Sequence, residues 1–498
     1  CATASPWDET SCASAADPGG GATRRSPTTR FPRPVGRARR PGMRRSSLPG
    51  VTDYDTIFKA YDIRGTVPDQ LDADGARAIG GAFARFVAAH GATSVVVGRD
   101  MRPSGEEFVA AFSDGVMAHG LDVVDVGLCA TDMMYYASGV LDQPGAVFTA
   151  SHNPAGYNGI KMCLAGAAPI GGDTGLDEIK QMAQAGPDPT GQRGQRSERD
   201  MLGGYVEHVH SFVDLDALAP LSVVADTANG MGGLVLPAVF ADLPFSLDHL
   251  FPELDGTFPN HPADPIQPEN QKDLCDRLLS IGADVGLAFD GDADRVFLVD
   301  ETARPISGSL TTALVARSIL EREPGATIIH NLICSKTVPE VVAEGGGTAV
   351  RTRVGHSFIK AVMAETGAAF GGEHSGHYYF RDNYRADSGL IAALVVLEAL
   401  SAHPAGLSDL VSSLDRYAAS GEINTRVDDA ATVIERVADA YARSGAAIDR
   451  LDGLTVDAGD WWFNLRPSNT EPLLRLNLEA PTADDIDRLV DEVRGHFA

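Results

Sequence analysis

The sequence predicts an α/β protein that closes in a smaller α+β domain. Three observations predict it. From Tyr54 onward, apolar runs of strand length alternate with helical stretches, and such repetition builds a largely parallel sheet covered by helices. Gly91-Ala92, Gly282-Ala283 and Gly325-Ala326 each precede an apolar strand that ends in a polar loop, which suggests three related α/β units. The last eighty or so residues break the alternation and read as strands flanked by helices. A chain of 498 residues has room for three to four domains.

Residues 1–50 stand outside this pattern. They are rich in Pro, Gly, Ser, Thr and Arg without hydrophobic period, and such a composition predicts disorder. Met43 is the first methionine, so the residues before it read as an extension upstream of a natural start; they lack the amphipathic pattern of a targeting peptide. Beyond them, Ser94–Val97 is a buried strand, Ser104 and Glu107 form a capping box that opens a helix through His119, and Leu121–Val126 and Ala146–Phe148 are strands. Asp284–Phe289 and Val296–Val299 are strands around an acidic loop, and Ala368–Phe370 is strand-like. At the end come a helix over Ala430–Ser444, strands at Leu454–Val456, Trp461–Leu465 and Leu473–Leu478, and a helix from Ala483 to His496. The domains divide as 51–203, 204–304, 305–416 and 417–498.

Charge narrows the function. The chain carries −27 overall, yet residues 1–50 hold nine arginines against three acidic residues, so the body is more acidic still. Such a body is a poor partner for nucleic acid or an anionic membrane, and any anion it binds must meet local clusters of Arg and Lys. No apolar run reaches the roughly 18 residues of a membrane span. Six cysteines scattered without C-x-x-C spacing argue against a zinc site or disulfide framework and fit a reducing cytoplasm.

Four loops carry chemistry. Asp290, Asp292 and Asp294 alternate, and alternate side chains of an extended segment point the same way. Three convergent carboxylates repel one another unless a hard cation such as Mg2+ sits among them. A calcium loop is one alternative, with Glu301 at its twelfth position, but Arg295 stands where that loop needs Gly and the flanks are strands. An acidic surface turn is the other. In Thr149–Pro154, Pro154 blocks a helix and leaves an exposed turn with Ser151 beside His152: a nucleophile, or simply a solvated turn. Lys161 gains interest only if Ser151 handles phosphate. Gly371–His377 offers Glu373 and Ser375 to sugar hydroxyls, or Glu373, His374 and His377 to zinc. Arg466–Pro472 combines a planar guanidinium with Ser468, Asn469 and Thr470 between two prolines, which suits phosphate, though a Pro-rich hairpin has the same composition.

Together and in this order, the four loops resemble those of the α-D-phosphohexomutases, over roughly residues 54–498. The resemblance implies three related α/β mixed-sheet domains and a smaller C-terminal α+β domain around a central cleft. It implies that Ser151 carries a phosphoryl group and, with Asp290, Asp292 and Asp294, holds one Mg2+ per chain. Arg295 would neutralise phosphoryl charge, Glu373 and Ser375 would read sugar hydroxyls, and Arg466, Ser468, Asn469 and Thr470 would grip the non-reacting phosphate. Phe58–Gly65 resembles a further family element, with Arg64 facing the reacting centre. His152 and Lys161 match residues near the phosphoserine, Gly355-His356 a substrate contact, and His377 a proton-transfer group. The implied reaction interconverts hexose phosphates through a hexose 1,6-bisphosphate. The 372–377 loop looks most like the phosphomannomutase and dual phosphomannomutase/phosphoglucomutase branch, which implies mannose 6-phosphate and mannose 1-phosphate as substrates, with glucose phosphates second. Phosphoglucomutase, phosphoglucosamine mutase, a Mg2+-dependent phosphatase and a silent sugar-phosphate binder are the alternatives. A monomer or homodimer in the cytoplasm is expected. One departure stands out: Ile333 occupies a position where members of that branch often carry lysine, and Lys336 follows three residues later.

Overall fold

The computed structural model describes residues 52–189, 191–467 and 473–497, apart from the side chains of Asp173 and His356. The extension 1–50, with the disorder expected of it, lies outside the described residues. So do Ser468, Asn469 and Thr470.

Among the described residues there are four sheets. The first runs in the order Ile63–Thr66, Tyr157–Leu164, Gly145–Phe148, Ser94–Arg99, Asp122–Leu128, Arg196–Glu198. Its central strands are parallel, whereas Tyr157–Leu164 is antiparallel to both neighbours. The second orders Pro305–Ile306, Val296–Asp300, Val285–Phe289, Ser222–Asp226 and Ser246–Leu250. The third orders Thr348–Thr352, Thr327–Asn331, Phe370–Gly372 and Tyr378–Phe380. The fourth joins Ala418–Arg426, Leu473–Ala480, Trp462–Pro467, Leu454–Asp457 and Ala447–Asp449, all antiparallel, against helices Ala430–Ser444 and Ala483–Gly495.

The first three sheets are mixed rather than largely parallel. The reason is loop length. Six residues, 290–295, join Val285–Phe289 to Val296–Asp300, and so short a link closes only a hairpin, since a parallel crossover needs a dozen or more. Strand burial follows the apolar runs: Val95, Val96 and Val97 are fully buried. The capping box at Ser104 does not form. The Ser104 side chain makes no cap bond to Gly105–Ala118; its Oγ instead accepts from Asn158 Nδ2 at 2.8 Å.

The helix Gly389–Ser401 is apolar on all sides, which marks a helix enclosed by protein, and Leu390 to Leu397 are all buried. It belongs to a continuous core with Val96 of the first sheet, Leu287 of the second and Phe370 of the third. The fourth sheet and its helices have a core of their own, from Val433 to Val493.

Asp132 pins this shared core. The Tyr205 hydroxyl and Ser388 Oγ, the latter capping helix Gly389–Ser401, both donate to its Oδ2 at 2.6 Å, while Oδ1 is buried without a partner. Burial pushes the Asp132 carboxyl up to about 7, against the pull of the two hydroxyls. A carboxyl raised in the folded state favours folding when protonated. Its contribution is therefore full below about pH 4, the ordinary carboxyl range, and is lost as pH rises through about 7. Asp132→Asn cannot ionise. The Tm of the wild type relative to Asp132→Asn should fall steadily from pH 4 to pH 7; parallel profiles would contradict it.

Candidate active site at the seam of three sheets

The acidic loop leaves the end of Val285–Phe289 at Asp290 and re-enters the sheet after Arg295. It is a tight turn, not the extended segment its spacing suggested: Ala293 takes φ +60°. The carboxylates nevertheless converge, each offering an oxygen within 4.8 Å of the others, and all three are buried. Gly291 lets the turn close against the serine loop, because a side chain there would come within 2.6 Å of the Ser151 carbonyl oxygen.

Ser151 sits in the turn after Gly145–Phe148 with a left-handed φ of +47°. The turn was expected to be exposed, but Ser151 itself is 3 % exposed. The loop presses it against the acidic loop, so its hydroxyl donates to Asp290 Oδ2 at 2.6 Å. Arg295 Nε donates to the same oxygen at 2.9 Å, and its Nη2 lies 3.2 Å from Ser151 Oγ and 2.5 Å from His152 Nδ1. The charge of Arg295, then burial, drop the His152 pKa to about 2, which leaves the imidazole neutral and able to accept from the guanidinium. Lys161, on Tyr157–Leu164, reaches over to donate to Asp292 Oδ2 at 2.8 Å and Asp294 Oδ2 at 2.6 Å. Burial opposes its charge, yet those two carboxylates hold its pKa well above the usual value. Arg64 is fixed by Asp62 at 2.8 Å and Asn153 Oδ1 at 2.6 Å.

The third sheet brings the sugar-type loop to the same place. His377 pairs with Arg295 as an isolated bridge, and Gly376 turns at φ +83° with its α-carbon against the Phe297 ring. Glu373 is 2 % exposed and held on both oxygens: Asn331 Nδ2 and the Gly355 amide donate to Oε1 at 3.1 and 3.3 Å, and the Tyr379 hydroxyl to Oε2 at 2.8 Å. Ser375 Oγ and His377 Nδ1 are 3.1 Å apart. His377 Nε2 faces Asp294 at 3.8 Å and Asp387 at 4.0 Å. Tyr61, Arg64, Ser151, Lys161, Arg295 and His377 line one cleft of about 790 Å3.

Do these residues suit a cation? Burial pushes Asp290 up to about 8 despite Arg295, and burial also raises Asp294. Asp292 is buried too, but Lys161 holds it below the carboxylate range. Oδ1 of both Asp292 and Asp294 is buried without a hydrogen-bond partner. Buried, unsatisfied carboxylate oxygens this close together are the donor set of a hard divalent ion. The zinc alternative at Glu373, His374 and His377 fails, because His374 turns away to Ser309 Oγ at 2.9 Å and joins neither candidate metal cluster among the described residues.

Arg466 stands apart from this cluster. It bonds to Glu422 at 3.2 Å, and its charge is felt at Tyr61, where burial nevertheless raises the phenol pKa. Ser468, Asn469, Thr470 and the His356 side chain lie outside the described residues. Lys336 does not reach the cleft: its Nζ donates to Asp457 at 2.9 Å and the Gly459 carbonyl at 2.7 Å, on the fourth sheet's side, and Ile333 lines a separate cavity of about 360 Å3 beside His374.

Sequence reasoning missed Thr131, Asn331, Tyr379 and Asp387. Thr131 opens the helix Thr131–Leu141; its amide donates to the Asp292 carbonyl at 3.1 Å and its hydroxyl to Asp292 Oδ2 at 2.6 Å. It follows the strand Asp122–Leu128, and the tendency of α/β sites to form at strand carboxyl ends could have flagged it.

Three mixed sheets and an antiparallel fourth, with a serine and fixed cations on one cleft and three carboxylates clustered at its wall, define an enzyme of the phosphohexomutase class. Family descriptions bear this out. "Phosphoglucomutase/phosphomannomutase, alpha/beta/alpha domain I" matches residues 55–188, domain II 203–304, domain III 307–417, and the C-terminal domain 422–496. The chain is 42% identical over 428 residues to the phosphohexose mutases of Xanthomonas campestris pv. campestris (strain ATCC 33913), covering 85% of this chain and 94% of that protein. It is 39% identical over 435 residues to a phosphomannomutase of Escherichia coli K12, covering 85% and 95%. A crystal structure of a phosphoglucomutase/phosphomannomutase family protein from Burkholderia thailandensis superposes with a TM-score of 0.83 at 37% identity, covering 90% of this chain and 97% of that one. The chain belongs to the phosphoglucomutase/phosphomannomutase family. No helix among the described residues is long and apolar enough to cross a membrane.

Outer hydrogen bonds to ligating carboxylates orient them, and their loss costs roughly 10–100-fold in metal affinity. If Asp292 ligates a divalent ion, Thr131→Val should weaken Mg2+ binding by about that factor in a calorimetric titration. An unchanged affinity would count against Asp292 as a ligand oriented by that hydroxyl.

Proposed function

We propose that the protein is a phosphomannomutase that also accepts glucose phosphates, working through a phosphoserine at Ser151 and a hexose 1,6-bisphosphate. What carries this is one distance: Ser151 Oγ stands 2.6 Å from Asp290, at the point where Arg295, Lys161 and two unsatisfied carboxylate oxygens converge. A solvated turn needs none of that convergence. The segments 51–203, 204–304, 305–416 and 417–498 act as four domains, the first three lending the serine, acidic and 373–377 loops to the cleft. The cytoplasm and a monomeric or homodimeric state belong to the same assignment.

Asp290, Asp292 and Asp294, with the serine phosphate, would hold Mg2+. When bound, it supplies positive charge against the transferring phosphoryl oxygens. The rest falls to side chains. Arg295 and Arg64 meet phosphoryl charge, and the neutral His152 accepts from Arg295 to keep the guanidinium aimed at Ser151. Lys161 balances Asp292 and Asp294. Glu373, with Asn331, the Gly355 amide and Tyr379 fixing its two oxygens, accepts from sugar hydroxyls, joined by Ser375. Gly355-His356 and the loop of Arg466, Ser468, Asn469 and Thr470 grip the rest of the substrate and its non-reacting phosphate.

In the first half-reaction the P–O bond to Ser151 breaks and a sugar hydroxyl forms the new P–O bond. Its proton passes to His377, while Ser151 Oγ, the leaving group, takes one from water in the cleft; the second half-reaction returns both, His377 giving its proton to the freed sugar oxygen. After the 1,6-bisphosphate reorients, Ser151 Oγ takes the other phosphoryl group and the isomeric monophosphate leaves. Such transfer depends mostly on positioning and electrostatics. A grip on O3 and O4 leaves C2 unread, and C2 is where mannose and glucose differ; hence both are accepted.

Ser151→Ala should abolish mutase turnover while calorimetry still detects hexose phosphate binding. Loss of both would point to a binding defect instead. A coupled assay should rank kcat/KM for mannose 1-phosphate and glucose 1-phosphate above glucosamine 1-phosphate; a strong glucosamine preference overturns the substrate assignment. Inorganic phosphate released as fast as isomer forms would mark a phosphatase.

A further inference from the structure

The strand Ser94–Arg99 ends in Asp100-Met101-Arg102, and Arg102 turns inward beneath the serine loop. It is 2 % exposed and Asp100 is fully buried. Every N–H of its guanidinium is engaged. Nε donates to Asp100 Oδ2 at 3.2 Å. Nη1 donates to the carbonyls of Pro154 at 2.9 Å and Tyr157 at 2.8 Å. Nη2 donates to those of Ser151 at 2.8 Å and Asn153 at 2.7 Å. Asp100 Oδ1 also accepts from the Arg102 amide at 2.9 Å, so the pair forms a closed unit. From the second sheet's side, the Phe258 ring lies 5.2 Å from the guanidinium carbon.

We propose that Arg102 is a positioning residue for phosphoryl transfer: its guanidinium gathers four carbonyls of the 151–157 turn and so holds Ser151 Oγ against Asp290. Two features support a role beyond filling space. Ser151 has a left-handed φ of +47°, a conformation that non-glycine residues keep only where the surroundings enforce it. And Arg102 binds the carbonyl oxygen of that residue while its hydroxyl meets Asp290 and Arg295. Arg102 therefore sets where the oxygen is without touching the reacting atoms. Its charge is matched by Asp100, so what it contributes is shape. A planar fork with five fixed donors can span four carbonyls, and a compact ammonium with three cannot.

That difference gives the test. Arg102→Lys keeps the charge and loses the span. In the full-length enzyme, kcat should fall about 10²-fold, the cost of displacing a reacting group by about 1 Å, while KM stays within about threefold. Labelling of Ser151 by glucose 1,6-bisphosphate, followed by intact mass, should slow by a similar factor. Hydrogen exchange should quicken at amides 149–159 and not elsewhere. Unchanged kcat and exchange, or a lowered Tm with full kcat per folded molecule, would overturn the role. Should Arg102→Lys fail to fold, Asp100→Asn carries the test: it preserves shape, loosens the guanidinium's anchor, and should lower kcat by about tenfold with the same local exchange; no change in either overturns the role. Because this role rests on Ser151 carrying the phosphoryl group, the wild type is labelled first. If it takes no label, the mutase assignment fails, and the exchange at 149–159 still decides whether Arg102 holds the turn.

Discussion

Three carboxylates buried within a few ångströms of one another are the constraint on which the rest of the structure depends. Left alone, Asp290, Asp292 and Asp294 could not all stay ionised away from water. The fold answers with charge drawn from different segments. Lys161 comes from the first sheet, Arg295 from the loop itself, and both are buried with the acids they face. The Lys161 pairs also tie the first sheet to the second. The electrostatic need of the acidic loop thus draws the first sheet, with its serine loop, against the second.

The same logic accounts for local positive charge in an acidic protein. A net charge of −27 repels phosphorylated sugars at long range. Arg64, Lys161 and Arg295 concentrate positive charge inside the cleft, beside the carboxylates they pair with, where screening by water is weakest. The fourth sheet holds a separate core and meets the third through polar contacts such as Lys336 with Asp457 and Arg351 with Asp449. Such surface ion pairs are weak, of the order of 1 kcal/mol each or less.

Much of the fold was legible because it rests on local pattern. Strands such as Ser94–Arg99 and the helix Ala430–Ser444 announce themselves by apolar run or period. The serine, acidic and 373–377 loops, which meet in the structure, were legible because each carries its polar groups in near-consecutive residues, while Ser468, Asn469 and Thr470 of the fourth loop lie outside the described residues. Legibility failed where a residue's partner is distant in sequence. Ser104 reads as a helix cap, but Asn158 takes its hydroxyl, 54 residues away. Thr131 serves Asp292, 161 residues on, and Arg102 serves carbonyls some 50 residues on; neither leaves a mark in its neighbours. The acidic spacing signalled convergence correctly but for an extended chain, whereas a turn through Ala293 at positive φ achieves it.

The central claim is that the acidic loop and the serine are two halves of one cation site, completed by a phosphoryl group. Mn2+ favours the same oxygen ligands as Mg2+ and is paramagnetic. In the 31P NMR spectrum of enzyme phosphorylated on Ser151, substoichiometric Mn2+ should broaden the phosphoserine resonance strongly in the wild type and far less in Asp292→Asn. A resonance equally sharp in both, with Mn2+ bound, would contradict the account.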